Sequence, residues 1–176
     1  MKTLLLTALL YIFAFLDFSS CNKEVLNEMP PETQTGANTL GCLIDGELFV
    51  GGCCTPWMTP PFNALYNTVS DKLYLSSYGK VNVNNSGCID MEIYHPIQNN
   101  IQTNALMFYY STSESSTCVR YLTSTNREVF ITKLDTVNKI VSGRFQFTGY
   151  CSNDDSANTK QITQGRFDLK LNIDNN

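Results

Sequence analysis

Asp90 and Glu92 stand two apart in CIDMEIY, a spacing that puts both carboxyls on one face of a strand. Paired carboxylates can divide acid and base roles, which is hydrolase chemistry. The simpler reading is a solvated strand face opposite Ile89, Met91 and Ile93, and that reading takes precedence here. His95 is the single histidine and precedes Pro96. A catalytic histidine needs positioned partners, and no nucleophile elbow accompanies it, so a rim or turn role is expected. No P-loop, dinucleotide fingerprint or EF-hand pattern occurs. The expectation is therefore a protein that binds rather than catalyses, with no cofactor. The alternatives are a glycan-acting hydrolase using carboxylates such as Asp90 and Glu92, or a purely structural envelope component.

Aromatic side chains carry the binding reading. Trp57, Tyr66, Tyr74, Tyr78, Tyr94, Tyr109 and Tyr110 can form a platform for sugar or peptide, although aromatics also serve as ordinary strand filler. Trp57 is the foremost ligand contact, because GGCCTPWMTPP is stiffened by Pro and Cys, and Tyr94 is the second. The seven cysteines are the other reactive set. Setting Cys21 aside leaves Cys42, Cys53, Cys54, Cys88, Cys118 and Cys151, an even set that can pair into three disulfides in an oxidising compartment, with free thiols as the alternative because buried Cys also serves as a small hydrophobe. Adjacent Cys53 and Cys54 would point to opposite faces and staple different elements. Zinc is not expected, because C-x2-C pairs and histidine partners are missing.

The elements that must position these groups begin with an address. Lys2, the apolar run Leu4 to Leu16, then Ser19, Ser20 and Cys21 read as a signal ending in a lipobox-like site, with Cys21 the lipidated residue. The run is shorter than the roughly 20 residues of a membrane span. Phe18 and Asp17 depart from the usual pattern before the cysteine. Residues 1–20 are thus the signal peptide. Residues 21–38, with Pro30, Pro31, Glu24, Glu28, Glu32 and Gly36, read as a flexible tether with too little apolar surface to order itself. Residues 39–176 form a single β domain. The destination is the envelope, as an outer-membrane-anchored lipoprotein on the periplasmic or cell-surface side. The partners are the membrane, through the lipid, and a glycan, peptide or envelope protein. The net charge of −4 gives no basic patch for nucleic acid.

Within the domain, Leu40 to Val50 is a hairpin with Asp45-Gly46 at a type I′ turn. Ala64–Asn67, Lys72–Tyr78, Cys88–Tyr94 and Ala105–Tyr110 are strands. Ala105–Tyr110 is apolar on both sides and expected to be covered. Val119–Thr123 is a further strand. Glu128–Leu134 and Lys139–Thr148 make a hairpin with Leu134 opposite Lys139, and Gln161–Ile173 is the last strand. Gly143-Arg144-Phe145 is echoed in Gly165-Arg166-Phe167. If the two strands pair antiparallel, Gly143 can face Phe167 and Phe145 can face Gly165, each ring covering a glycine. With about eight to ten short strands and no helical periodicity, the fold class is all-β: an antiparallel, meander-like β-sandwich or barrel.

TLGCLIDGELFV, VFITKLDTVNKIVSGRFQFTG and ITQGRFDLKLN, with the signal, resemble an uncharacterised Bacteroidota lipoprotein family of β-rich domains of unknown function. The resemblance implies export and an antiparallel β domain, and no catalytic residues. Asp135-Thr136-Val137 and Asp155-Ser156-Ala157 are similar to the D-[ST]-aliphatic O-glycosylation motif of that phylum, which would make Thr136 and Ser156 acceptors. Both motifs also have the composition of plain turns.

Overall fold

Asp45 and Gly46 both adopt positive φ, 51° and 86°, as a type I′ turn demands of its central pair. They join β1 (Thr39–Ile44) to β2 (Glu47–Gly51), with Cys42 opposite Phe49. The computed structural model describes residues 28–52, 60–82, 85–111, 120–151 and 158–176, and all of its regular elements are strands. After the hairpin come β3 (Phe62–Asn67), β4 (Lys72–Asn82), β5 (Asn85–Tyr94), β6 (Ile101–Gln102) and β7 (Ala105–Ser111). Then follow β8 (Arg120–Asp135), β9 (Ile140–Cys151), β10 (Thr159–Lys170) and β11 (Asn172–Asp174).

Eight of these strands close into a barrel in the order β1-β2-β4-β5-β7-β8-β9-β10, with β10 returning to β1 through Leu40 opposite Phe167. Every pairing around the ring is antiparallel, so the architecture is an up-and-down meander closed on itself, a barrel rather than a sandwich. Closure removes the free edges that an open sheet would offer to other chains. Three short strands decorate the ring. β3 lies along the half of β4 that β2 does not reach, β11 adds to β3 in parallel, and β6 runs beside β8.

Period-two alternation decides what goes inside. Leu73 and Leu75 of β4 face Ile93 and Met91 of β5, and these face Ala105 and Met107 of β7. All are buried and belong to one continuous core with Leu40, Phe49, Val129 and Phe145. An eight-stranded barrel is just wide enough for side chains to fill. The interior is apolar and the outer wall carries Lys, Glu, Asp and Tyr, the reverse of a barrel that faces lipid. Among the described residues no helix is long and apolar enough to cross a membrane.

The glycine–aromatic exchange between β9 and β10 occurs in the expected register: Phe145 pairs with Gly165 and Gly143 with Phe167. A Cβ on Gly143 would lie 2.7 Å from Phe167 Cζ, and one on Gly165 would lie 2.7 Å from Phe145 Cδ1. The two rings sit 6.3 Å apart and lock the pair.

Four expectations are corrected. Glu128–Leu134 and the part of Val119–Thr123 within the described residues, from Arg120 on, belong to one strand, β8, interrupted by a register shift between Thr123 and Arg127. The β8–β9 hairpin places Leu134 opposite Val141, not Lys139, because the closing pair is Asp135 with Ile140. There Asp135 accepts the backbone N–H groups of Val137 and Asn138 at 3.1 and 2.7 Å, which sets the four-residue turn at 136–139, one position later than expected. Leu106 on the outer side of β7 is 37% exposed, so that strand is covered on its inner side only.

The fourth correction concerns the tether. From Glu28 onward the segment is a strap laid over the outside of β1, β10 and β9. Its clasp is Asp168, a carboxylate only 1% exposed. Asp168 Oδ2 accepts from Thr33 Oγ1 at 2.6 Å, Thr35 N at 3.0 Å, Thr35 Oγ1 at 3.3 Å and Ala37 N at 3.1 Å. Its Oδ1 accepts from Gly36 N at 2.9 Å and Ser142 Oγ at 2.7 Å. Gly36 has a φ of 72°, which turns successive N–H groups toward one carboxylate. Pro30 lies on Gly41, where a Cβ would come within 2.5 Å of Pro30 Cδ. Residues 21–27 lie outside the described residues, as does the signal with Cys21.

Candidate functional site

The wall formed by β4, β5 and β7 collects most of the chemistry-bearing side chains on its outer face. Since Ile89, Met91 and Ile93 point inward, Cys88, Asp90, Glu92 and Tyr94 point outward, as their alternation implies. Antiparallel pairing then sets three rungs across the wall. Glu92 pairs with Tyr74 on one side and Leu106 on the other, Asp90 with Ser76 and Phe108, and Cys88 with Tyr78 and Tyr110. Phe108 and Tyr110 rings lie 6.3 Å apart, tilted by 37°. Arg120 covers their edge, its guanidinium carbon 4.6 Å from the Phe108 centroid and 5.5 Å from that of Tyr110.

At the other end Lys72 Nζ stands 3.0 Å from Glu92 Oε1 and 4.7 Å from the Tyr94 ring centroid. Burial pushes the Glu92 carboxyl up, but the bonds from Lys72 and Tyr94 outweigh it and hold the group below the usual range. The same bond to Glu92 raises the Tyr94 phenol. Glu92 is thus an ionised partner for Lys72, the opposite setting from a general acid held neutral. Between these ends lies a shallow hollow of about 270 Å³ bordered by Asn63, Tyr74, Asp90, Glu92, Phe108 and Tyr110.

The cysteines divide. Cys42 is fully buried inside the barrel and Cys88 lies on the outer face of β5; both are free thiols. This corrects the expectation that they join a disulfide framework. They sit on opposite faces of the wall, and each is accommodated without a bridge. Burial raises the Cys42 thiol far above its ordinary value, so it behaves as a small hydrophobe. Burial and the charge of Asp90 push Cys88 up to about 12. Cys88 Sγ donates to Asp90 Oδ1 at 3.1 Å, and a protonated thiol of this kind is no nucleophile. Cys53, Cys54 and Cys118 lie outside the described residues.

No family model, no curated protein and no solved structure matches this chain. Function is therefore argued from the geometry of its own side chains.

Of the two named ligand contacts, Tyr94 takes its place on this wall, and Trp57 lies outside the described residues. Tyr74, Tyr78 and Tyr110 join Tyr94. Tyr109 does not: it points into the barrel and stacks on Tyr121, centroids 5.9 Å apart. Tyr66 on β3 donates to Asp71 Oδ1 at 2.7 Å. His95 Nδ1 lies 2.8 Å from Asp71 Oδ2, and Asp71 and His95 both have a φ of 51°. That trio pins the turn after β3 to the end of β5, and the ring of His95 is exposed, in keeping with a rim histidine. Thr136 is exposed in the turn that Asp135 caps, and Ser156 lies outside the described residues. No group of three or more His, Cys, Asp or Glu poised to hold a metal occurs among the described residues. Sequence reading missed Phe108 and Arg120. Phe108 sits in a run that is apolar on both sides, and the partner of Arg120 is set by the β7–β8 register.

Proposed function

We propose that this chain is an exported, lipid-anchored envelope protein that works as a binding module, with the outer wall of β4, β5 and β7 as its ligand face. One observation carries this reading: the barrel interior is filled by its own side chains, while Tyr74, Phe108 and Tyr110 stand over an open hollow beside ionic groups. Rings offer flat apolar surface, and Asp90, Glu92 and Asn63 offer hydrogen bonds around them. That mixture suits a sugar ring or an extended peptide, both of which present alternating polar and apolar faces. The low-lying rim and the Lys72-paired Glu92 favour holding a ligand over hydrolysing one.

Tyr74→Ala combined with Phe108→Ala tests the face on glycan and peptide arrays. Each ring removed is expected to weaken binding roughly three- to tenfold, the scale of one aromatic contact. Equal binding by wild type and double variant would remove this wall from the function.

The anchor belongs to the same proposal. Cys21 is the lipidated residue and the envelope the destination on this reading, and the lipobox-like signal with the resemblance to Bacteroidota lipoproteins is what supports it. On the same reading Cys151 bridges to one of Cys53, Cys54 and Cys118, the pairing an oxidising compartment would preserve. Intact-mass measurement of the protein from its native host reads these modifications together. The expected spectrum carries an acyl addition that Cys21→Ser abolishes. Glycan mass lost on Thr136→Ala would mark that exposed turn as an acceptor. A spectrum with an unmodified Cys21 overturns the anchor.

A further inference from the structure

On the opposite side of the barrel a single outward rung crosses four strands: Ile101 of β6 pairs with Phe130 of β8, Phe130 with Arg144 of β9, and Arg144 with Arg166 of β10. Two arginines therefore neighbour each other across β9 and β10, beside an apolar floor. The hollow in front of them is about 530 Å³, and Glu32, Glu128, Gln146 and Gln164 border it. A volume of that size lies in the range of small-molecule sites, roughly 300–1,000 Å³.

Neither arginine is fully engaged by the protein. Arg166 donates Nη1 to Pro30 O at 3.1 Å, and its Nε is buried without a hydrogen-bond partner. A buried donor left unmade is costly, so the site has an unfilled demand for an acceptor. Arg144 rests on the Phe130 ring, its guanidinium carbon 5.4 Å from the centroid. The strap brings Glu32 Oε2 to 3.9 Å from Arg144 Nε, too long for a hydrogen bond and half exposed on both sides. Glu32 is thus a weakly held carboxylate at a pair of forks built for carboxylate recognition.

We propose that this hollow binds an acidic sugar, a uronate whose carboxylate displaces Glu32 and docks on Arg144 and Arg166. The next rung explains why a sugar fits. Gln146 donates to Glu128 Oε2 at 2.9 Å, and with Gln164 these groups offer both donors and acceptors, as hydroxyls require. Phe130 and Ile101 give the apolar face of the ring a floor. Glu128 disfavours a doubly charged phosphate in the same space.

Isothermal titration of the full chain with sodium glucuronate, glucose, acetate and inorganic phosphate tests the assignment. Glucuronate is expected to bind, more weakly at high salt, with the other three at least tenfold weaker. Arg144→Gln is expected to lower glucuronate affinity roughly tenfold, the scale of one charge-assisted bond. Glu32→Gln is expected to raise it several-fold by removing the competitor. Both side chains are half exposed, so circular dichroism should show both variants folded. Unchanged affinity in Arg144→Gln, or glucose binding as tightly as glucuronate, would overturn the site. Acetate or phosphate matching glucuronate would overturn the sugar assignment, and unchanged affinity in Glu32→Gln would overturn displacement.

Discussion

Asp168→Ala is expected to free the strap from the barrel and to lower stability by about 3–5 kcal/mol, since each hydrogen bond to a charged group is worth about 1.5–3 kcal/mol and solvation of the freed strap returns part of the loss. The loss is large because Asp168 is a hub. Thr33, Thr35, Gly36, Ala37 and Ser142 all aim donors at its two oxygens, and the substitution leaves those donors without an acceptor in a buried place. Asp168→Asn should recover only part of the loss. One oxygen survives, while the amide nitrogen brings its own hydrogens against donors. Urea midpoints measure the stability, and amide exchange at Gly36 and Ala37 reports the strap itself. Wild-type exchange at those two positions in Asp168→Ala would sink the clasp.

The same residue makes the fold acid-sensitive. Burial pushes the Asp168 carboxyl up, but the bonds from Thr33, Ser142, Ala37 and Gly36 reverse that and hold it well below the usual carboxylate range. A carboxyl lowered on folding contributes stability that is complete above its unfolded value of about 3.9 and is lost as pH falls below it. Wild type should therefore lose stability on acidification more steeply than Asp168→Ala, in urea midpoints taken through that window. Parallel curves would show that Asp168 is not the titrating group.

Gly143→Ala is the second large effect. The added Cβ would meet the Phe130 carbonyl oxygen at 2.5 Å and Phe167 Cζ at 2.7 Å. A backbone atom cannot swing away, so β8, β9 or the Phe167 ring must shift, at about 1–3 kcal/mol. Gly165→Ala should behave alike, since Phe145 contributes both its carbonyl oxygen, at 2.6 Å, and its ring. A double-mutant cycle of Gly143→Ala with Phe167→Leu separates ring from backbone. If the ring matters, the two changes together are less harmful than their sum, because the smaller side chain no longer covers the glycine. Strict additivity would assign the whole conflict to the Phe130 carbonyl.

These two glycines and Asp168 mark where sequence reading succeeded and failed. The GRF repeat was legible because a ring and a missing Cβ are complementary, and because antiparallel pairing of two nearby strands admits few registers. The strap was not legible. Pro30, Glu32, Thr33 and Thr35 have the composition of a solvated linker, and Asp168, the partner of Thr33 and Thr35, is more than 130 positions away. In the last strand Asp168 alternates with Phe167 and Leu169 and so reads as an ordinary outward residue. The Leu134 register missed because the turn is selected by the Asp135 side chain as well as by loop length. Cys42 and Cys88 counted as bridging partners only because parity ignores which face of a wall a side chain takes.

The candidate faces divide in the same way. Alternation in β5 put Asp90, Glu92 and Tyr94 on one side, and that part needed no structure. Their meeting with Tyr74 and Phe108 depends on which strands flank β5, as the row Phe130, Arg144, Arg166 depends on β8, β9 and β10 lying in register. By itself the sequence determined the strand class, the inner and outer sides of an alternating strand such as β5 and the first hairpin, because these rest on period-two burial and on backbone conformations local to a few residues. Closure into a barrel, the order of rungs around its wall and the capture of the strap by Asp168 came from the tertiary structure alone, because each is a pairing between distant segments that no local pattern encodes.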